Sequence, residues 1–336
     1  MTVEEIIPPE IWEKLEHTYF LGFDAEAFME PLSERLKGVR NPLISPGRAF
    51  QSNLEALIAV VSMPILLASG TATEMRLQQL LMAERIRRIP NPLTDSAKRG
   101  DLPVEAEREA HTVAHGKLNQ ELATTIGIVQ MGVQAWRFLH AGLRSHDVDA
   151  AAHELLRQST VLCWGALEVL ARDVFVALIN ENPNAAIQLL EHPSTRGRFN
   201  LKAISVEVLA IHGFDVSTRM GDVLVQQQDL AELAVIKDVY QALFPDARAL
   251  HSTLGAKDLW LLNQRRHLIV HKRGIVDARY LERTGDKTER GSTLNVLPSD
   301  LKGYLTLVRD AGIEILGVVN PDNRPSMPSP GDAGQV

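Results

Sequence analysis

Residues 151–179 read AAHELLRQSTVLCWGALEVLARDVFVALI, and this stretch indicates the fold class most clearly. Apolar or small side chains recur along it at steps of three and four residues, the spacing at which positions on an α-helix share one face. The shared face comprises Leu156, Thr160, Cys163, Leu167, Leu170, Val174 and Leu178. We therefore predict a long helix with one buried face.

The same helical period extends over most of the chain, and clean two-residue alternation is almost absent. Asp24 is a predicted N-cap, because its carboxylate can accept from open backbone amides. We predict further helices over 10–20, 24–37, 48–68, 71–89, 104–143, 184–191, 200–212, 229–244, 253–270 and 299–318. The longest of these contains Gly116 and Gly127, either of which can interrupt it. The sequence thus predicts an all-α protein.

A chain of 336 residues is long enough for two domains. The polar stretch SHDVD at 145–149 is the predicted boundary between a helical N-terminal region of unknown role, 1–145, and a second helical domain, 146–320. A turn-rich segment, 90–103, breaks the first region. The proline-containing tail, 321–336, is predicted to be disordered.

Net charge and cysteine content restrict the classes of function. A formal charge of −7 gives no broad basic face for nucleic acid, so any such contact must be local. One local stretch, 265–290, carries eight Lys or Arg against four Asp or Glu. Cys163 is the only cysteine, which excludes an intrachain disulfide and a multi-cysteine zinc site. Its apolar surroundings predict a buried, inert thiol.

The sequence predicts neither secretion nor membrane insertion. The first ten residues lack a basic region and an apolar core, so we expect no secretory signal. The most apolar run, 54–68, is about fifteen residues long, short of the roughly 20 that span a bilayer. We predict a buried core helix there, and a cytoplasmic protein.

The predicted helix over 253–270 has an unusual polar edge. Projected at 100° per residue, this edge carries Asn263, Gln264, His267 and His271. The opposite, apolar edge comprises Leu259, Leu262, Ile269 and Val270. Arg266 lies inside the apolar edge, one step from the polar side, so its guanidinium must reach the polar edge or an anion.

This combination of side chains suits a phosphate diester. Arginine presents paired donors that match phosphate oxygens, and histidine can move a proton in either direction near neutral pH. Asn263 and Gln264 are candidates for orienting a ribose or phosphate. No group of carboxylates suited to magnesium is visible nearby, and we predict no cofactor and no metal.

Residues 266–271, Arg-His-Leu-Ile-Val-His, resemble the motif of the HEPN superfamily: arginine, a polar residue, three mostly apolar residues, then histidine. The continuation KRGIVD at 272–277, with Tyr280, Leu281 and Gly285, is similar to the RiboL-PSP-HEPN branch. The helix that contains Glu168 corresponds to that family's first core helix. The resemblance covers roughly 147–319 and implies a HEPN-like antiparallel helical bundle.

The resemblance implies metal-independent cleavage of RNA at a composite site between two protomers. Arg266 would stabilise charge on the phosphate, and His271 would act as general base or acid. His267, at the variable polar position, would assist, and the product would end in a 2′,3′-cyclic phosphate. The implied setting is a homodimeric toxin or host-defence effector that acts on RNA, with an antitoxin or inhibitor protein as a further partner.

Other interpretations of these residues stay open. Some family members are non-catalytic modules that bind RNA or protein. In a purely structural scaffold, Arg266 would pair with an acid of the first helix, and His271 would cap open carbonyls. Glu168 would either support Arg266 or His271, or form a surface ion pair with Arg172 four residues later.

Two clusters in the first region have simpler interpretations. His111 and His115 have the spacing of zinc ligands, but Thr112 stands where the zincin motif requires glutamate, so we favour a solvated helix face. The cations at 85, 87 and 88 end a predicted helix, where its dipole favours them, although an RNA-docking patch is the alternative.

Overall fold

The computed structural model describes residue 3 and residues 5–88, 102–199 and 204–319. Within these residues the chain forms fifteen α-helices and no β-strand, with one isolated antiparallel bridge between Ile275 and Thr293. The prediction of an all-α protein is confirmed. The predicted tail, 321–336, lies outside the described residues.

The helices are numbered in chain order. They are α1 Pro9–Thr18, α2 Ala25–Lys37, α3 Ile44–Val61, α4 Met63–Arg88, α5 Val104–Leu122, α6 Thr125–Gly142, α7 His146–Glu181, α8 Ala185–Glu191, α9 Val206–Ile211, α10 Met220–Gln227, α11 Leu233–Leu243, α12 Arg248–Leu254, α13 Lys257–Lys272, α14 Ala278–Thr284 and α15 Pro298–Val318. Helices α10, α12 and α14, each of eight residues or fewer, were not predicted.

The chain divides into two compact units, each made of two segments. The first comprises Met1–Gly22 and Val61–Glu154, and the second comprises Phe23–Val60 and Leu155–Val336. This division differs from the predicted boundary at 145–149, since residues 23–60 group with the C-terminal half. The reason is long-range packing: α2 lies against α15, which local composition cannot reveal.

The first unit is built around α4, which packs against both α5 and α6. Its largest core cluster comprises Leu15, Tyr19, Leu21, Ala68, Ala72, Ala135, Trp136, Leu139 and Ala152. The rings of Trp12 and Trp136 lie 4.3 Å apart between centroids. Small alanines at the contacts allow the helices to approach closely.

The predicted interruption of segment 104–143 occurs just before Gly127. Thr124 caps α6 by accepting from the Gly127 amide at 3.0 Å. A Cβ at Gly127 would lie 2.0 Å from the Glu121 carbonyl oxygen, so only glycine fits this turn. Gly116 lies within α5 and interrupts nothing.

The apolar run 54–68 is divided between α3 and α4 at Ser62. Pro64 lies in the first turn of α4, where its missing N–H leaves no bond unmade. Leu66 and Leu67 are 57 % and 63 % exposed, so the prediction of a buried helix is wrong for the second half of the run. No single helix within the described ranges is long and apolar enough to cross a membrane, although α3 and α4 taken together meet that criterion.

The second unit is organised around α7 and α15. The predicted face of α7 is buried at every position except Leu178, which is partly exposed. Helix α15 packs against α2, α12 and α13. A Cβ at Gly312 would lie 2.3 Å from the ring of Phe50, so this glycine allows α15 to approach α3. Asp24 caps α2 as predicted, accepting from the Ala27 amide at 3.0 Å.

Candidate active site

Helix α13 has one buried side and one exposed side along its length. Its buried residues are Leu259, Leu262, Asn263, Leu268 and Ile269. His267 and His271 are exposed, as their predicted position on the polar edge of the helix required. Val270, predicted to be apolar and covered, is 46 % exposed. The last two turns of α13 therefore bury Leu268 and Ile269 and expose Val270 together with the two histidines.

Asn263 does not lie on the exposed edge where the sequence placed it. Its side chain is only 3 % exposed, and within the described residues its Nδ2 has no hydrogen-bond partner. The predicted direct role in orienting a ribose or phosphate therefore does not fit its position. Gln264 is partly exposed and accepts from Nη1 of Arg283 at 3.4 Å.

Arg266 forms an ion pair with Glu168 of α7. The Nη2 and Oε2 atoms are 3.4 Å apart, and the two side chains are 17 % and 22 % exposed. The alternative surface pair between Glu168 and Arg172 is not formed, since Nε of Arg172 donates to Asp173 at 3.0 Å. Glu168 thus contacts the motif helix, and 98 residues separate the two partners in sequence.

Glu168 is one of three carboxylates in this region. Burial raises its pKa, and the charges of Asp229 and Glu232 raise it further, against the opposing charges of the nearby arginines. The segment that carries these two acids is fixed to α7 by the buried Trp164, whose Nε1 donates to the Ala231 carbonyl at 3.2 Å. Sequence reasoning missed both acids, since nothing local links them to α13.

His267 and His271 form a pair one turn apart, with ring centroids 4.4 Å from each other. Burial lowers the pKa of His267, and the charges of His271, Arg266 and Arg279 lower it further, whereas Glu232 opposes them. The lowered pKa favours the neutral form of the His267 imidazole. A neutral imidazole can accept a proton, which general base catalysis requires.

Arg265, the residue before the motif arginine, has a different environment. Its Nη1 donates to the Tyr304 hydroxyl and lies 3.4 Å from a carboxylate oxygen of Asp300. Its Nη2 lies 3.9 Å from Asp286, which also accepts from the Tyr280 hydroxyl at 2.9 Å. Arg265 thus links α13 to α15 and to the segment around α14.

The end of α13 is fixed by two residues with left-handed backbone conformation. Arg273 has φ of 53° and donates its amide to the Leu268 carbonyl, and Gly274 follows with φ of 75°. The Gly274 amide also donates to Leu268, at 3.1 Å. Both amides donate to the same carbonyl, that of Leu268, which is one of the helix-end acceptors.

The other candidate clusters lie in the first unit. His111 lies 3.3 Å from Glu107, and the described residues contain no group of three or more side chains placed to hold a metal ion. Arg85 pairs with Glu107, while Arg87 and Arg88 each lie 2.7 Å from the buried Glu84. These pairs explain the three arginines without RNA.

Comparison of the chain with family models, curated proteins and solved structures gives no match. The HEPN resemblance therefore stays a prediction, carried by the motif at 266–271 and its continuation.

Proposed function

We propose that the chain is a HEPN-type, metal-independent endoribonuclease whose reaction centre lies at the last turns of α13. In this proposal the helices of 146–320 form the HEPN-like bundle, and two protomers complete one site. Its setting is the cytoplasm, as a toxin or host-defence effector held in check by an antitoxin or inhibitor. The dimer and the defence role follow from the resemblance alone.

One observation supports the proposal most directly: Arg266 and the exposed imidazoles of His267 and His271 all lie within the last two turns of α13. Arg266 faces a single carboxylate, at 3.4 Å. The raised pKa of Glu168 makes that carboxylate a weaker counter-ion. A phosphate oxygen would supply the charge-assisted hydrogen bonds that Arg266 lacks.

The proposed reaction is an internal transfer of the phosphodiester. A neutral imidazole removes the proton of the ribose 2′-hydroxyl, and the 2′-oxygen forms a bond to phosphorus. The bond from phosphorus to the 5′-oxygen breaks, and the second imidazole, protonated, donates its proton to that leaving oxygen. The products are a 2′,3′-cyclic phosphate and a 5′-hydroxyl, with Arg266 stabilising the charge on phosphorus-bound oxygens.

The second candidate is a non-catalytic module that binds RNA or protein. The ion pair between Arg266 and Glu168 favours it, since a paired arginine has a structural role already. A cleavage and binding assay of the His271 variant distinguishes the two candidates. A module keeps its affinity when His271 is removed and never cleaves.

The test is incubation of the purified protein with mixed cellular RNA in EDTA, which silences most contaminating metal-dependent nucleases. General acid–base catalysis contributes about 10²–10⁴-fold, so the cleavage rate of His271→Ala should be lower than that of the wild type by about this factor. His115→Ala, which removes an exposed histidine of the first unit, is the matched control. Equal cleavage by wild type and His271→Ala would refute the proposed centre, and sedimentation velocity tests the dimer separately.

A further inference from the structure

The segment 272–290, which begins at the last residue of α13 and includes α14, carries a dense positive surface. Its exposed cations are Lys272, Arg273, Arg279, Arg283, Lys287 and Arg290. None of the six forms an ion pair with a side chain in the described part of the chain. Only two exposed acids, Glu282 and Glu289, lie among them, which leaves a net charge of +4.

The other two acids of this segment are already used. Asp277 caps α14 and accepts from the Tyr280 amide at 2.8 Å. Asp286 accepts from the Tyr280 hydroxyl and faces Arg265. The positive surface is therefore not neutralised locally, although the whole chain carries a formal charge of −7.

Two of the six cations lie beside the proposed reaction centre. Arg279 and Arg283 are four residues apart on α14, so they share one face of that helix. Arg283 contacts Gln264 at 3.4 Å, which places it along the polar edge of α13. Arg279 is close enough to His267 for its charge to act on the imidazole.

We propose that Arg279 and Arg283 bind a backbone phosphate of the RNA strand that flanks the scissile one. The inference rests on the proposed function, because it takes the reaction centre to be at the end of α13. A guanidinium can donate two parallel hydrogen bonds to a phosphate. RNA carries one phosphate for each nucleotide, so a strand held at Arg266 presents its next phosphates to neighbouring cations.

The test measures affinity for a single-stranded RNA oligonucleotide in the His271→Ala background, over a series of salt concentrations. Arg279→Gln/Arg283→Gln should weaken binding by about tenfold or more, because two charge-assisted contacts are lost. The slope of log affinity against log salt should fall by about 0.7, the value for one phosphate contact on a single strand.

The matched control is Arg248→Gln/Lys257→Gln, which removes two exposed cations of the same unit from α12 and from the first residue of α13. Lys257 lies ten residues before His267, about 15 Å along the helix. This variant should bind RNA within about twofold of the background protein, since scattered surface charges contribute little. Circular dichroism verifies that both variants fold.

Each outcome separates this inference from the proposed function. Equal affinity of the α14 variant and the control overturns the phosphate subsite, even if the wild type cleaves RNA. The expected loss without cleavage by the wild type in EDTA supports the subsite and counts against the ribonuclease. Absence of RNA binding by the background protein also overturns the subsite.

Discussion

Arg265 and Arg266 are neighbours on α13 with nearly equal exposure, 15 % and 17 % of their side chains, but their surroundings differ. Arg265 faces two carboxylates and a phenol. Arg266 faces one carboxylate at 3.4 Å, and the exposed His267 and His271 lie in the same two turns of α13. One guanidinium is thus almost fully compensated, and the other is not.

The difference shows that burial alone does not separate a structural arginine from a functional one. A buried cation needs partners that restore the free energy of its lost hydration. Where the fold supplies several partners, as at Nη1 and Nη2 of Arg265, the residue joins helices. Where the fold supplies one long ion pair, as at Arg266, an external anion can complete the set.

The largest effect should come from Arg265→Ala. Its removal leaves Asp286 and Asp300 without their cation, and breaking a buried ion pair costs about 3–5 kcal/mol. Chemical denaturation measures this as a fall in the free energy of unfolding. Arg172→Ala, which removes a side chain 41 % exposed and paired with its neighbour Asp173, should cost less than about 1 kcal/mol. Equal losses for the two variants would contradict the structural role of Arg265.

Arg266→Ala should act on activity more than on stability. Loss of one donor to a developing oxyanion lowers turnover by about 10²–10³-fold. The melting temperature should change little, because the partner Glu168 has a raised pKa and can be protonated at low cost. The contrast between the two arginines is contradicted if Arg266→Ala loses as much free energy of unfolding as Arg265→Ala while its folded fraction keeps full activity.

The smallest effect concerns the titration of His267. Burial is the main cause of its lowered pKa, with His271, Arg266 and Arg279 adding to it and Glu232 opposing. Arg279→Gln removes one of the positive charges, so the pKa of His267 should rise toward its ordinary value. Its ring-proton NMR signal should then titrate at a higher pH than in the wild type.

Arg290→Gln, which neutralises an exposed cation outside α14, is the control for that titration. It should leave the His267 signal unchanged. A midpoint that stays in place, or falls, in Arg279→Gln would show that α14 does not act on this imidazole. That result would also weaken the comparison between the open and the compensated side of α13.

Periodicity predicted the fold class and the buried face of α7, because one helix face repeats within a short window of sequence. It also predicted the exposed positions of His267 and His271. It failed at Asn263 and Val270, since the neighbours of α13 cover different parts of the same face at its two ends. A helical projection gives only the angle of each residue around the axis, so it cannot show that the covered face differs from one end of the helix to the other.

The environment of Arg266 could be predicted only in part. Pairing of Arg266 with an acid was one of the alternatives drawn from the sequence, and Glu168 of α7 is that acid. Asp229 and Glu232 could not be predicted, because the bond from Trp164 to a loop carbonyl brings them close. The arginines of α14 were visible only as a local excess of charge.

Cys163 lies at 0 % exposure in the middle of α7, and burial raises the pKa of its thiol. A thiol-specific reagent can reach this sulfur only when the core around it opens. Since the chain has one cysteine, the rate of modification counts opening events of the second unit alone. The rate of Cys163 modification therefore reports how often the core opens, and it can be compared between the wild type and each variant without an engineered label.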